Sequence, residues 1–199
     1  AAEMQAKVEN VEIVNSAIES EHERAGGVCG DATYAAFNNV SFQGTVYTTY
    51  VTKEAKSGGF IGQAADGSSF TNCSVDVVLV VKSNDAGGFV GKVIESATFT
   101  GCKVKAQVTS YAAAKNRVGG FIGWNSSLKT VLKDCHVLEG TTLTDKSGRV
   151  ESNNGNYGGL IGFGDMDEAV LEITGCSAAA DIDGGVSAYN STFIGCVGY

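Results

Sequence analysis

Apolar and polar residues alternate along short stretches of this chain, as in Val75, Val77, Leu79 and Val81, and again in Val104, Ala106 and Val108. A period of two places such residues on one side of an extended strand. No segment sustains a 3.6-residue period beyond a few turns, so strands are predicted and helices are not. The alternating runs recur in a fixed context. A Gly-Gly-apolar-apolar-Gly block reads Gly26-Gly27-Val28-Cys29-Gly30, Gly58-Gly59-Phe60-Ile61-Gly62, Gly87-Gly88-Phe89-Val90-Gly91, Gly119-Gly120-Phe121-Ile122-Gly123 and Gly158-Gly159-Leu160-Ile161-Gly162. Gly184-Gly185-Val186-Ser187 reads as a degenerate sixth copy.

A second block lies between copies of the first. It begins at Val8, Phe37, Phe70, Phe99, Leu132, Ile173 and Phe193. Its third position is Asn10, Asn39, Asn72, Gly101, Asp134, Gly175 and Gly195, all residue types that tolerate a left-handed backbone. A bend of positive φ once per repeat is therefore predicted. The fourth position is Val11, Val40, Cys73, Cys102, Cys135, Cys176 and Cys196. Strands joined by bends and repeating at this period describe an all-β parallel β-solenoid of about six coils of roughly 30 residues each. Equivalent positions would stack about 4.8 Å apart. The chain reads as one solenoid domain over residues 1–199. A short cap of helix-forming composition is expected at 1–7 and a protruding loop at 138–157. Because the sequence stops inside a strand block, a piece of a longer solenoid, or an end that meets another chain, is expected.

Composition sharpens this picture. The chain of 199 residues holds 27 Gly and no Pro, against about fourteen and ten at average usage. Strands paired on both sides need every N–H, which disfavours proline; turns would still admit it. A net charge of −8 leaves no basic footprint for nucleic acid, and no apolar run approaches a membrane span. Neither nucleic-acid binding nor membrane insertion is expected.

Gly58-Gly59-Phe60-Ile61-Gly62 followed by Phe70-Thr71-Asn72-Cys73-Ser74-Val75 resembles the GLUG repeat. The likeness recurs from Gly87 to Val104, Gly119 to Val137 and Gly158 to Ala178. It departs with Gly for Asn at 101, 175 and 195, and Val for Cys at 11 and 40. The resemblance implies a right-handed parallel β-helix of secreted or surface-attached, adhesin-like proteins, and no catalytic residue.

Candidate chemistry is sparse. Cys73, Cys102, Cys135, Cys176 and Cys196 would form one inward column of buried thiols; disulfides are the alternative, since the coil spacing lies within the usual Cα window. Cys29 reads as a core substitution in the first block. His136 should face away from Cys135, and His22 sits in a polar bend. Asp165, Asp167 and Glu168, and Asp181 with Asp183, could hold calcium through oxygen ligands, but read better as solvated turn acids. Asn39, Asn72, Asn125 and Asn190 each start an Asn-x-Ser/Thr triplet. Tyr47, Thr48, Thr49, Tyr50 and Thr52 form a polar-aromatic stretch that could meet a glycan or partner. No catalytic, cofactor-binding or metal-binding residue and no cofactor is assigned. The expected role is a non-enzymatic extracellular or cell-surface scaffold, adhesin-like or a structural subunit of a fibre. Its partners would be other protein chains, including end-to-end copies, or host and cell-surface glycans. The alternatives are a polysaccharide-active β-helix enzyme and a calcium- or glycan-binding module.

Overall fold

The computed structural model describes residues 5–52, 55–112, 116–148, 155–165, 170–183 and 193–194. Every element among them is a strand, and every pairing is parallel. The chain winds as a β-solenoid. Each coil has four straight segments. The first is a three-residue strand leading into the Gly-Gly block: Arg24–Gly26, Lys56–Gly58, Asp85–Gly87, Arg117–Gly119 and Asn156–Gly158. These stack as their own sheet. The other three segments form one large bent sheet, in which single long strands such as Ala35–Thr48 and Val90–Thr100 carry the chain round a corner. From Arg24 to Asn156 the chain makes about four full turns, with partial turns on either side, so the count is lower than the expected six.

The bend slot behaves as its residue types require. Asn10, Asn39, Asn72, Gly101, Asp134 and Gly175 have φ of 55, 55, 52, 66, 53 and 66°. Successive bends also share space: the Asn39 amide donates to Asn10 Oδ1 at 2.8 Å. A Cβ at Gly175 would sit 2.1 Å from Asp134 Oδ1, and one at Gly101 2.5 Å from Asn72 Oδ1. The two glycines thus stand where the preceding coil's side chain already fills the corner. The first-block glycines serve differently. None of those described has positive φ; they permit close approach. A Cβ on Gly88 would lie 2.1 Å from the Gly120 carbonyl oxygen of the next coil.

The corners continue the ladder, which accounts for the missing proline in turns as well as strands. Gly59, Gly88 and Gly120 donate their N–H to Gly87, Gly119 and Gly158 of the next coil at 3.1, 3.0 and 3.0 Å. Asn72, Gly101 and Asp134 donate to Thr100, Lys133 and Thr174 at 2.8, 2.9 and 2.8 Å. After the fourth segment, Lys82, Tyr111 and Lys146 donate to Thr48, Val81 and Ser110 of the preceding coil. Proline at any of these corners would remove a donor.

Two aromatic columns fill the interior. Phe37, Phe70 and Phe99 stack face to face at 5.1 and 4.8 Å, and Phe60, Phe89 and Phe121 at 4.5 and 4.8 Å. The columns meet edge to face at 5.4–6.2 Å, the favoured geometry for ring quadrupoles. Leu132 and Leu160 continue them in the later coils, where both are fully buried.

Several expected boundaries shift. Ala6 and Lys7 already belong to the strand Ala6–Ser20, paired with Ala35–Thr48, in place of the expected cap; residues 1–4 lie outside the described residues. The expected loop 138–157 is strand as far as Asp145 and strand again from Asn156; residues 149–154 lie outside the described residues. Phe193 and Ile194 pair with Tyr157 and Gly158, so this segment belongs to the first block and not the second. Residues 195–199 lie outside the described residues. Gly184–Ser187 lie outside the described residues.

Candidate functional site

The cysteine column is present over four coils. Cys73, Cys102 and Cys135 are fully buried, Cys176 is half-buried, and all four are unbridged thiols. Adjacent coils hold them in register, because Lys103 pairs with Ser74 and with His136. Each sulfur turns its proton to backbone oxygens: Cys73 to Thr71 and Cys102 to Phe70 at 3.4 Å, Cys135 to Lys133 and Cys176 to Leu132 at 3.4 Å. The Cys102 thiol is pushed far above its ordinary range by hydrogen bonding with the Cys135 and Cys73 thiols and by burial. The Cys102 thiol so placed is a poor nucleophile, and the buried thiols pack as small core residues. Cys196 lies outside the described residues. Cys29 stacks on Ile61, Val90, Ile122 and Ile161 as a core substitution, and burial, then the charge of Asp31, push its thiol up to about 11.

The histidines stay apart from the thiols. His136 Nδ1 lies 2.9 Å from Ser177 Oγ, while Cys135 points into the core. His22 is exposed in the bend before Arg24. Asp165 is exposed, with its N–H on the Asn125 carbonyl at 2.9 Å; Asp167 and Glu168 lie outside the described residues. Asp181 and Asp183 are exposed and alternate with half-buried residues of Ser177–Asp183. Among the described residues no group of three His, Cys, Asp or Glu is arranged to hold a metal ion, and no helix is long and apolar enough to cross a membrane.

Two other expected surfaces are divided by the fold. Asn125 is fully buried, and its Oδ1 accepts from Ser127 at 2.9 Å and Thr130 at 2.7 Å; it is closed to glycosylation in the folded chain. Asn39 and Asn72 are exposed, and Asn190 lies outside the described residues. In the Tyr-Thr stretch, Tyr47 is 38% exposed, but Thr48 points inward to Ser57 Oγ at 3.2 Å. Strand alternation splits the stretch between core and surface.

The densest polar arrangement was not legible in the sequence. The first and second segments fold back on one another at the Gly-Gly corner, bringing residues seven apart face to face. One column runs Arg24, Lys56, Asp85, Arg117, Asn156. The facing column runs Asp31, Gln63, Lys92, Trp124, Phe163. Arg24 bonds Asp31, and Gln63 donates to Asp31 at 3.3 Å. Lys56, 5% exposed at its side chain, meets Glu23 at 3.0 Å, and that bond holds the Glu23 carboxyl below its ordinary value. Further along, Lys92 Nζ lies 3.3 Å and Arg117 Cζ 3.5 Å from the Trp124 ring centroid, a cation–π pairing on the chain's only Trp. Arg117 Nε also bonds the fully buried Asp85 Oδ1 at 2.5 Å. Burial pushes the Asp85 carboxyl up to about 6, against the opposing pull of Arg117. The seam is a charged and aromatic spine between two sheets, and its ion pairs fix which coil sits on which.

Comparison with family models, with curated proteins and with solved structures finds no match.

Proposed function

We propose that this chain is a non-enzymatic, GLUG-type extracellular scaffold: a rigid, adhesin-like solenoid that presents its lateral faces to other chains or to glycans at a cell surface. The observation that carries this reading is where the reactive side chains go. The thiols of the column bond backbone oxygens, Asp85 holds Arg117, and Asp31 holds Arg24. The chemistry is spent inside the fold, between coils at Asp85–Arg117 and across one corner at Asp31–Arg24, while the outward columns run from coil to coil as an extended surface for contact. Solenoids use such extended faces for binding. Self-association end to end, as in a fibre, is the second route for the same scaffold.

Two measurements test the reading. Antibody labelling or protease shaving of intact cells that make the chain should reach it from outside; labelling only after lysis counts against it. Incubation with a panel of polysaccharides should release no new reducing ends. Release abolished by replacing one exposed carboxylate would revive the enzyme alternative, which needs two carboxyl groups about 5–10 Å apart.

A further inference from the structure

The outer face of the fourth segment is not a plain sheet. Two bulges interrupt it at the same column. In the first strand, Val14 and Asn15 stand opposite the single Gln43, one extra residue: Ile13 pairs with Phe42 and Ser16 with Gly44. Asn15 takes a φ of 53°, and the close approach leaves Gly44 no room for a Cβ, which would sit 2.0 Å from the Ser16 carbonyl oxygen. Four coils further on, in His136–Asp145, Val137 pairs with Val104 and Thr142 with Gln107, so Leu138 to Gly140 carry the excess. Gly140 has φ 83°, and a Cβ there would lie 3.4 Å from Lys105 Cε.

Between the two bulged strands lies a trough of about 290 Å³, lined by Asn15 at one end and by Lys105 to Gln107 at the other, near the lower end of small-molecule sites. Its floor is the outward column Gln43, Asp76, Lys105, flanked by Thr45, Val78 and Gln107. All six are exposed. Asp76 and Lys105 meet at 3.8 Å, so the floor carries both signs and no net charge. The exposed side chains of these six are two amides, a carboxylate, an ammonium, a hydroxyl and the apolar Val78, with the buried Val77 and Ala106 lining the trough beneath them. Amides donate and accept, a carboxylate accepts at two oxygens, and an ammonium donates three times. That mixture matches the vicinal hydroxyls of a sugar, each of which donates and accepts. It does not match a polyanion, which would need cations without Asp76, nor an apolar peptide, which would need more than one exposed apolar side chain.

We propose that this trough is a binding site for a neutral oligosaccharide lying along the solenoid axis, with successive sugar units over successive coils. The proposal rests on the scaffold reading above and gives that scaffold its ligand class. Asp76 and Gln107 grip hydroxyls, Val78 meets a ring face, and the bulge at Asn15 limits how far the chain extends at that end.

The test uses immobilised cellohexaose, mannohexaose, N-acetylchitohexaose and a heparin hexasaccharide, followed by calorimetry with whichever is retained. The expected result is binding of at least one neutral hexaose. Asp76→Ala and Gln107→Ala should each weaken it at least tenfold, and Thr98→Ala, exposed on the third segment, should leave it unchanged. All three substituted residues are on the surface, and thermal melts matching the parent chain confirm intact folding. Retention of no neutral sugar, retention of heparin alone, or binding that the trough variants do not weaken would each overturn the proposal. Neutral sugar bound elsewhere on the surface overturns the trough but leaves the scaffold reading standing. A trough variant that changes the sedimenting mass and not sugar binding would make the surface a contact between copies, which also overturns it.

Discussion

Replacing Gly88 with Ala asks whether coil spacing is set by the backbone at the Gly-Gly corner. The new Cβ would lie 2.1 Å from the Gly120 carbonyl oxygen, 2.7 Å from Val104 Cγ1 and 3.0 Å from Ala106 Cβ. An ordinary contact starts near 3.4 Å, so the next coil would have to move by more than an ångström. It cannot move alone, because Gly88 and Phe89 donate to Gly119 and Phe121 at 3.0 Å. Overpacking ordinarily costs about 1–3 kcal/mol; a clash with fixed backbone on this scale should reach or exceed about 3 kcal/mol. At about 2–4 °C per kcal/mol for a chain this long, Tm should fall by about 6–12 °C. Gly148→Ala is the matched control. Gly148 has φ 66° and nothing within 4 Å of a built Cβ, so only the left-handed backbone is penalised, at about 1–2 kcal/mol. Differential scanning calorimetry of both variants decides. A Gly88→Ala cost equal to or below that of Gly148→Ala would refute close approach as the reason for the block.

Three further outcomes follow from the interior. Phe99→Ala empties a site stacked on Phe70 and edge-on to Phe89 and Phe121, and should cost about 3–5 kcal/mol in urea unfolding; a loss under about 1 kcal/mol would contradict the aromatic columns. Cys102→Val should stay within about 1.5 kcal/mol of the parent, because the slot is filled by volume and valine occupies it at Val40, fully buried; a large loss would show that the sulfur itself is required. Asp85 sets a pH dependence. Its folded carboxyl titrates at about 6, above an ordinary value of 3.8, so it is protonated in both states below pH 3.8, and its share of stability is lost as pH rises through about 6. At 1.36 kcal/mol per pKa unit this is about 3 kcal/mol. Asp85→Asn should flatten that part of the Tm–pH curve, and an unchanged slope would contradict the burial of the charge.

Much of the scaffold was legible because solenoid coils impose the same local demand at the same position. The restriction of one slot to Asn, Asp and Gly foretold the positive φ at Asn10 through Gly175, and the Cys slot foretold the buried column. Other features depend on contacts that spacing does not encode. The Leu138–Gly140 bulge breaks the period of two, so a strand reached 145 while the sequence read as loop. The segment at Phe193 fits both repeat blocks, and only its pairing with Tyr157 assigns it to the first. The seam of Asp85, Arg117 and Trp124 arises because two segments fold back at a corner, which brings together residues of no common motif. The trough depends on the bulge at Asn15, which the repeat spacing does not encode. The absent proline was half explained by paired strands and is completed by the corners, whose N–H groups also donate to a neighbouring coil.

In-register stacking is tested most directly by one distance. Ser41 and Ser177 are linked through Ser74, Lys103 and His136 as successive ladder partners, four coil steps of about 4.8 Å, or about 19 Å along the axis. Noncanonical spin-labelled residues at 41 and 177, measured by double electron–electron resonance, should give one narrow distribution centred near that length once the label arms are included. A broad distribution, or a separation far beyond 30 Å, would contradict a solenoid whose equivalent residues stand in columns.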